Sequence, residues 1–243
     1  MVNGQWIKLD EVDSTNNYLR HLDTLDDRMT LVTAEFQTAG RGADQNHWES
    51  AKGENLLLSL RVMPSSLPAR RMFALSEATA LAVRDTLGKA FSIKWPNDIY
   101  FGDSKVAGIL IENDLQGALV LRSIIGIGIN VNQRCFLSDA PNPRSLTDIV
   151  GHDLERRFVL EQFMECFTHY FNQIEGGKED VLDALHESYK SSLYRFGEEH
   201  RYSDKDGSFR ATLVDVEPTG HLILRDTEGN RRKYEFKEVN YII

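Results

Sequence analysis

The chain has 243 residues, of which 41% are hydrophobic and 27% charged, and a formal net charge of −9. This length and composition predict a soluble globular protein with room for one large domain, or a medium domain plus a small one. The acidic balance excludes a global footprint for nucleic acid. No apolar run is long enough to span a membrane, and Met1-Val2-Asn3-Gly4-Gln5-Trp6 lacks the basic start and apolar run of a signal peptide.

A helix is predicted to start at Ser14, whose hydroxyl is placed to cap the amides of Asn16 or Asn17, and to carry Tyr18, Leu19 and Leu22. Residues 31–35 read as a strand, and 55–62, with Leu56, Leu57, Leu58 and Leu60, as a buried one. Over 70–87, Met72, Leu75, Ala78, Ala82 and Val83 follow helical spacing up to a stop at Gly88. A short strand over 92–95 ends at Pro96, and 105–113 and 119–131 are longer strands rich in Ile and Leu. One helix follows with Val159, Leu160, Phe163, Phe167, Phe171 and Ile174 and stops at Gly176-Gly177; a second spans 178–193. After Phe196-Gly197 the pattern changes to short alternating runs, such as 211–216 and 221–225. They are separated by turns at Asp206-Gly207, Pro218-Thr219-Gly220 and Glu228-Gly229-Asn230, the pattern of a small β-barrel. The expected division is 1–193 for a mixed α/β domain and 194–243 for a small all-β domain.

Three polar clusters sit at the ends of strand-like runs, where a scaffold presents several polar groups to one small ligand. In the first, Gln37-Thr38-Ala39-Gly40-Arg41-Gly42, the glycines let the backbone approach closely and the arginine offers a fork for carboxylate or phosphate. The polar stretch 43–46 before Trp48 predicts a mobile lid with little to bury until a ligand orders it. In the second, Lys94-Trp95-Pro96-Asn97-Asp98, the lysine can neutralise phosphate. Asn97 can read a base or ribose, and Asp98 can hold Mg²⁺ or orient a lysine. Lys105 follows, two residues before Ala107-Gly108, and can place a point charge on a carboxylate under attack. The third, Gly126-Ile127-Gly128-Ile129-Asn130, lacks the third glycine and the following helix of a dinucleotide fingerprint; its glycines mark close approach within a strand. Cys135 and Cys166 have no metal spacing and read as reduced structural thiols of a cytosolic protein. The seven histidines include no His-x-x-x-His pair, which argues against a transition-metal site.

In order and spacing, Ser14-Thr15-Asn16, the run 37–42, Lys94-Trp95-Pro96-Asn97-Asp98, Lys105-Val106-Ala107-Gly108-Ile109-Leu110 and the run 126–130 resemble the motifs of biotin–protein ligases. The resemblance covers nearly the whole chain and points to a biotin–[acetyl-CoA-carboxylase] ligase. It implies an α+β fold, with a catalytic domain similar to class II aminoacyl-tRNA synthetases (a mixed sheet with helices) and a small SH3-like C-terminal barrel. The implied reaction joins biotin and ATP, with Mg²⁺, into biotinyl-5′-AMP and pyrophosphate, then transfers biotin to a lysine of a biotin carboxyl carrier protein. The implied biotin site is Ser14, Thr15, Asn16, Gln37, Gly40, Arg41, Gly42, Lys105, Gly108 and Gly126. The implied ATP site is Arg41, Lys94, Asn97, Asp98, Lys105 and Asn130, with Asp98 on the metal and with Lys105 and Arg41 as the catalytic cations. A cytoplasmic monomer or homodimer is implied, with no membrane or nucleic-acid partner. Some family members carry an N-terminal helix-turn-helix domain, and a Ser-Thr-Asn cluster at residue 14 leaves no room for one.

The nearest alternative is a lipoate–protein ligase of the same fold. The tryptophan of Lys94-Trp95-Pro96-Asn97-Asp98 and the pattern over 37–42 favour biotin. Two departures stand out. Many family members have a second arginine where this chain has Ala43, followed by Asp44, and the arginine near the C-terminus of some members has no counterpart in Tyr241-Ile242-Ile243.

Overall fold

The computed structural model describes residues 5–22, 29–43, 46–64, 66–137 and 142–243. In chain order the first part comprises β1 (Gln5–Val12), α1 (Thr15–His21), β2 (Met29–Gln37), β3 (Leu56–Val62), α2 (Phe73–Leu87), β4 (Ser92–Lys94), β5 (Asp98–Phe101), β6 (Ser104–Gln116) and β7 (Leu119–Ile129). The helices α3 (Leu146–Val150), α4 (Arg156–Glu175) and α5 (Glu179–Ser191) follow. The last part is all strand: β8 (Glu199–Asp204), β9 (Gly207–Val216), β10 (Leu222–Asp226), β11 (Arg231–Tyr234) and β12 (Asn240–Tyr241). The fold is α+β: a mixed sheet with helices and a second, antiparallel sheet.

The first sheet has the order β1-β2-β3-β7-β6-β5-β4. Only β1 and β2 run parallel, and the other pairs are antiparallel. Side chains alternate between faces along a strand, so each central strand serves two environments. Leu56, Leu58, Leu60 and Val62 of β3, Ala107 and Ile109 of β6, and Ile125, Ile127 and Ile129 of β7 join the main core with α2, α4 and α5. On the opposite face, Ile124 packs with Leu19 of α1 and Val32 of β2. In the same phase as Ile124, β7 carries Gly126 and Gly128. Because both faces are covered, all seven residues of β3 are buried, which is why it reads as a leucine-rich run without alternation.

The second sheet has the order β11-β10-β9-β8-β12. Among the described residues its ladder has β11 and β12 at the edges, and the antiparallel meander follows the turn pattern read from sequence. Its core is continuous with that of the first part: Tyr202, Leu213, Val216, Leu222 and Leu224 share one buried cluster with α2 and α5. Trp95 Nε1 also donates to the Gly220 carbonyl at 2.9 Å.

Some local expectations change. Helix α1 starts at Thr15, but Ser14 makes no side-chain cap. Instead Gln37 Oε1, on β2, accepts from the Thr15 amide at 2.7 Å and does a cap's work from a distance. A 3₁₀ turn (Ala69–Arg71) precedes α2, which does end at Gly88, in a conformation (φ 111°) that suits glycine. Strand β1 and the short α3 had no clear local signal. Among the described residues no helix is long and apolar enough to cross a membrane.

Candidate functional site

The site face of the first sheet, α1 and the loop after β2 enclose a cleft of about 810 Å³, open mouth included. All three polar clusters border it. Ser14, Thr15, Asn16, Gln37, Arg41, Gly42, Lys94, Asn97, Asp98, Lys105, Gly108 and Gly126 line it directly. Gly40 belongs to the loop but is not part of the lining. Asn130, the remaining residue singled out from sequence, is not part of the lining.

The inner end of the cleft is a hydrogen-bonded floor. Ser14, Thr15 and Asn16 are all nearly inaccessible to solvent. Gln37 Oε1 accepts from Thr15 twice, from its amide at 2.7 Å and its hydroxyl at 3.0 Å. Ser59 Oγ lies 2.7 Å from Thr15 Oγ1 and 2.5 Å from Asn16 Oδ1. A serine has a single hydroxyl proton, so it donates to one of these at a time. Asn16 Nδ2 donates to Glu112 Oε2 at 2.9 Å. Gly126 is required beneath this amide: a β-carbon there would lie 2.4 Å from Asn16 Oδ1.

Glu112 links the floor to the loop. It accepts from Arg20 at 2.6 Å and from Arg41 at 3.1 Å, and Arg41 also donates to Asn17 Oδ1 at 2.9 Å. Burial alone would raise the Glu112 pKa, but the hydrogen bonds from Asn16 and Arg20 and the charge of Arg41 hold it below the usual carboxylate range.

The loop is folded back on itself. Arg41 and His47 form an isolated bridge, Gly42 N donates to Asn46 O at 2.7 Å, and Trp48 N donates to Gly40 O at 3.0 Å. A β-carbon on Gly40 would sit 2.6 Å from the Trp48 carbonyl oxygen, so this turn requires glycine. The lid had been expected to bury little without ligand, yet the Trp48 indole lies flat on the bare backbones of Gly108 and Gly128. β-Carbons at these glycines would fall 2.9 and 2.3 Å from the ring. Its Nε1 is buried with no protein partner, leaving a donor inside the cleft. Asp44, expected to matter beside Ala43, lies outside the described residues.

At the outer end Lys105 Nζ bonds Asp98 Oδ1 at 2.7 Å and lies 5.8 Å from the Trp48 ring centroid. This contact is the lysine-orienting arrangement considered for Asp98. Among the described residues no group of three or more His, Cys, Asp and Glu side chains converges. Lys94 is tucked among aromatic rings, its Nζ 4.9 Å from the Tyr241 centroid and 5.4 Å from that of Tyr100. Burial pushes its pKa down against the opposing pull of Asp98. Asn97 is committed to the backbone: Nδ2 donates to Ile109 O, and its own carbonyl accepts from Ile109 N at 3.1 Å. It pins the turn between β4 and β5. Asn130 is buried, its Nδ2 reaching Arg144 O at 3.3 Å, while its Oδ1 has no protein partner.

The sequence profile of the Biotin/lipoate A/B protein ligase family matches residues 9–130. This chain belongs to that family. The matched span contains every residue lining the cleft except Phe236. The Bifunctional ligase/repressor BirA of Bacillus subtilis is 32% identical over 214 residues, which cover 84% of this chain and 64% of that protein. This chain therefore spans under two thirds of that relative's length. A Biotin–[acetyl-CoA-carboxylase] ligase of Paracoccus denitrificans is 28% identical over 235 residues, 92% of this chain and 95% of that one. The biotin protein ligase of Aquifex aeolicus, solved with biotin and ATP, superposes with a TM-score of 0.78 at 27% identity, covering 98% of this chain and 99% of that chain.

As a Biotin/lipoate A/B protein ligase, the chain has site residues that sequence reading passed over. Ser59 is the one polar residue within Leu56-Leu57-Leu58-Ser59-Leu60, a signal that was available. Gly128 was part of the glycine strand but was not separated from Gly126. Trp48 marked only the end of the lid. Glu112 and Phe236 had no local signal, since Phe236 reaches the cleft beside Trp95 and Glu112 meets the floor residue Asn16 only through contacts with distant segments.

Proposed function

We propose that this protein is an ATP-dependent biotin–protein ligase, a biotin–[acetyl-CoA-carboxylase] ligase in activity. The observation that carries this reading is the floor of the cleft: oriented amides and hydroxyls facing a narrow slot, with Lys105 at the other end. A cyclic urea presents one acceptor flanked by donors and suits such a floor, whereas the dithiolane ring of lipoate offers it no comparable hydrogen bonds. The similarity to ligases bearing biotin and ATP supports the assignment.

In the first step a biotin carboxylate oxygen attacks the α-phosphorus of ATP. A new O–P bond forms, the bond to the β-phosphate oxygen breaks, and pyrophosphate leaves. Two anions must meet, and the cationic side chains Lys105, Arg41 and Lys94 offset their repulsion as charge builds. Asp98 holds Lys105 aimed into the cleft. Ser14, Thr15, Asn16, Gln37 and Gly126 bind the ring end. Gly40, Arg41 and Gly42 carry the loop that closes over the ligand, and Trp48 with Gly108 forms its dry wall. On the nucleotide side, Asn130 backs the wall from outside the lining through its bond to Arg144 O, and Asn97 shapes the turn that presents Lys94 and Asp98. In the second step a neutral carrier lysine attacks the acyl carbon, AMP leaves, and the amine proton is lost.

The donor set fits Mg²⁺ brought in with the triphosphate, since Mg²⁺ is commonly held by one or two carboxylates plus phosphate oxygens, and Asp98 is the carboxylate at that end. Bound there, the ion would neutralise phosphate charge. In this reading residues 1–193 form a class II synthetase-like catalytic domain and 194–243 an SH3-like domain. The partner is a biotin carboxyl carrier protein, the assembly is a monomer or homodimer, and the reaction is assigned to the cytoplasm.

The test is pyrophosphate release with ATP and either biotin or lipoate, followed by labelling of a biotin carboxyl carrier domain. Release that requires biotin, with transfer to the carrier lysine, is expected. Release driven by lipoate alone would reassign the protein to lipoate ligation, and release with neither acid would overturn the reading.

A further inference from the structure

Glu112 takes no part in the chemistry above, yet it touches both arms of the cleft. It lies on β6 opposite Ile124, with its side chain only 21% exposed. One oxygen receives Asn16 Nδ2 at 2.9 Å and, more distantly, Arg41 Nη1 at 3.5 Å; the other receives Arg20 and Arg41 Nη2.

An asparagine amide has a donor end and an acceptor end, and by itself either can face a ligand. An ionised carboxylate only accepts. Beside Glu112, Asn16 must therefore turn Nδ2 toward it and Oδ1 away. There Oδ1 meets the Ser59 hydroxyl at 2.5 Å, over the space left by Gly126. Reversing the amide would set Oδ1 against an anion and lose a charge-assisted hydrogen bond. Gln37 is fixed in the complementary sense. Thr15 occupies its Oε1 twice, so Nε2 is left as the free end. The floor thus has one amide anchored through its nitrogen and one through its oxygen.

We infer that Glu112 is a positioning residue that sets the hydrogen-bond polarity of the ring-binding floor, and so favours an acid whose ring carries N–H donors beside a carbonyl. This rests on the biotin-ligase reading and deepens it, because it says how the pocket tells a cyclic urea from a dithiolane.

The experiment uses the full chain. Glu112→Gln keeps the volume but allows Asn16 to lie either way. Loss of a hydrogen bond to a charged group corresponds to about a tenfold to hundredfold change in affinity. KM for biotin is expected to rise by about that factor while kcat stays within about threefold and KM for ATP does not move. The ratio of kcat/KM for biotin over lipoate should fall in step. In an Asn16→Ser background, where no amide remains to orient, Glu112→Gln should add less than about twofold to the biotin KM. An unmoved biotin KM, or an equal rise in the ATP KM, would overturn the inference. So would an undiminished effect in the Asn16→Ser background, which would make Glu112 a charge partner of the arginines alone. If Glu112→Gln does not fold, Ser59→Ala releases the amide from its other side. It must raise the biotin KM selectively, and an unchanged KM there counts against the inference. Wild-type protein inactive with biotin would instead sink the biotin-ligase reading itself.

Discussion

Gly128→Ala is expected to release Trp48 from the cleft and with it the grip on the reaction intermediate. A β-carbon at 128 would lie 2.3 Å from Trp48 Cε2 and 2.6 Å from both Cζ2 and Nε1. Carbon atoms settle about 3.5–4.0 Å apart, so the ring must withdraw by about an ångström or more. Strand β7 cannot yield, because it is paired on both sides, with Leu57 of β3 and Gly108 of β6 in register with Gly128. The loop that carries Trp48 bonds its backbone to itself and is tied outward through the Arg41 side chain, so it can move. Full burial of a large apolar side chain contributes about 1.5–3 kcal/mol, and a partly buried indole about 2 kcal/mol. That corresponds to about a thirtyfold change in a rate or equilibrium constant. Pre-formed biotinyl-AMP should therefore leave Gly128→Ala about thirtyfold faster than wild type. This can be followed by gel filtration of the labelled complex, with limited proteolysis reporting faster cleavage of the loop. Gly126→Ala is the internal comparison. Its β-carbon would strike Asn16, not Trp48, so biotin affinity should fall while loop protection persists. Wild-type release and loop protection in Gly128→Ala would refute the placement of Trp48 on the glycine pair.

Lys105→Ala should slow pyrophosphate release by about two orders of magnitude or more, equivalent to about 3 kcal/mol, without unfolding the chain. Near wild-type release would reduce Lys105 to a solvated partner of Asp98. Ala43→Arg, which restores a cation carried by many family members, should slow escape of biotinyl-AMP. An unchanged rate with the loop still protected would mean that Arg41 and the backbone suffice. Glu77 of α2 and His186 of α5 form a buried pair 2.5 Å apart. Burial opposes the charge on His186, but the bond to Glu77 outweighs it and raises the His186 pKa above 6.5, while burial raises Glu77 above 4.5. Both raised values mean that the folded state holds protons the unfolded state has lost. Their contribution to stability is complete at low pH and lost as pH rises through the raised pKa of His186. Thermal melts from pH 6 to 9 should therefore fall more steeply for wild type than for Glu77→Gln. Removing one partner, as in His186→Ala, should destabilise the chain by about 3 kcal/mol. Parallel melting curves would contradict the shared proton.

Local pattern was enough for much of this protein. Helical spacing and a glycine stop marked α2, alternation and turn residues marked the second sheet, and Leu- and Ile-rich runs marked β3 and β7. These signals depend on neighbours a few residues apart, and they are written into the chain whatever it packs against. The three polar clusters were legible for the same reason, as unusual residues at strand ends. What sequence could not supply was register. Asn16 meets Ser59 from 43 residues away and Glu112 from 96, and Trp95 reaches Gly220 across 125. Strand β1 is held by parallel pairing to β2, and Trp48 finds its place only because Gly108 and Gly128 lie side by side on adjacent strands. Asn97 shows what position adds to type, since pairing places its side chain against the Ile109 backbone. A side chain's type states which bonds it is able to make. Which of those bonds it makes is decided by the pairing of strands, because a shift of one residue turns every side chain to the other face.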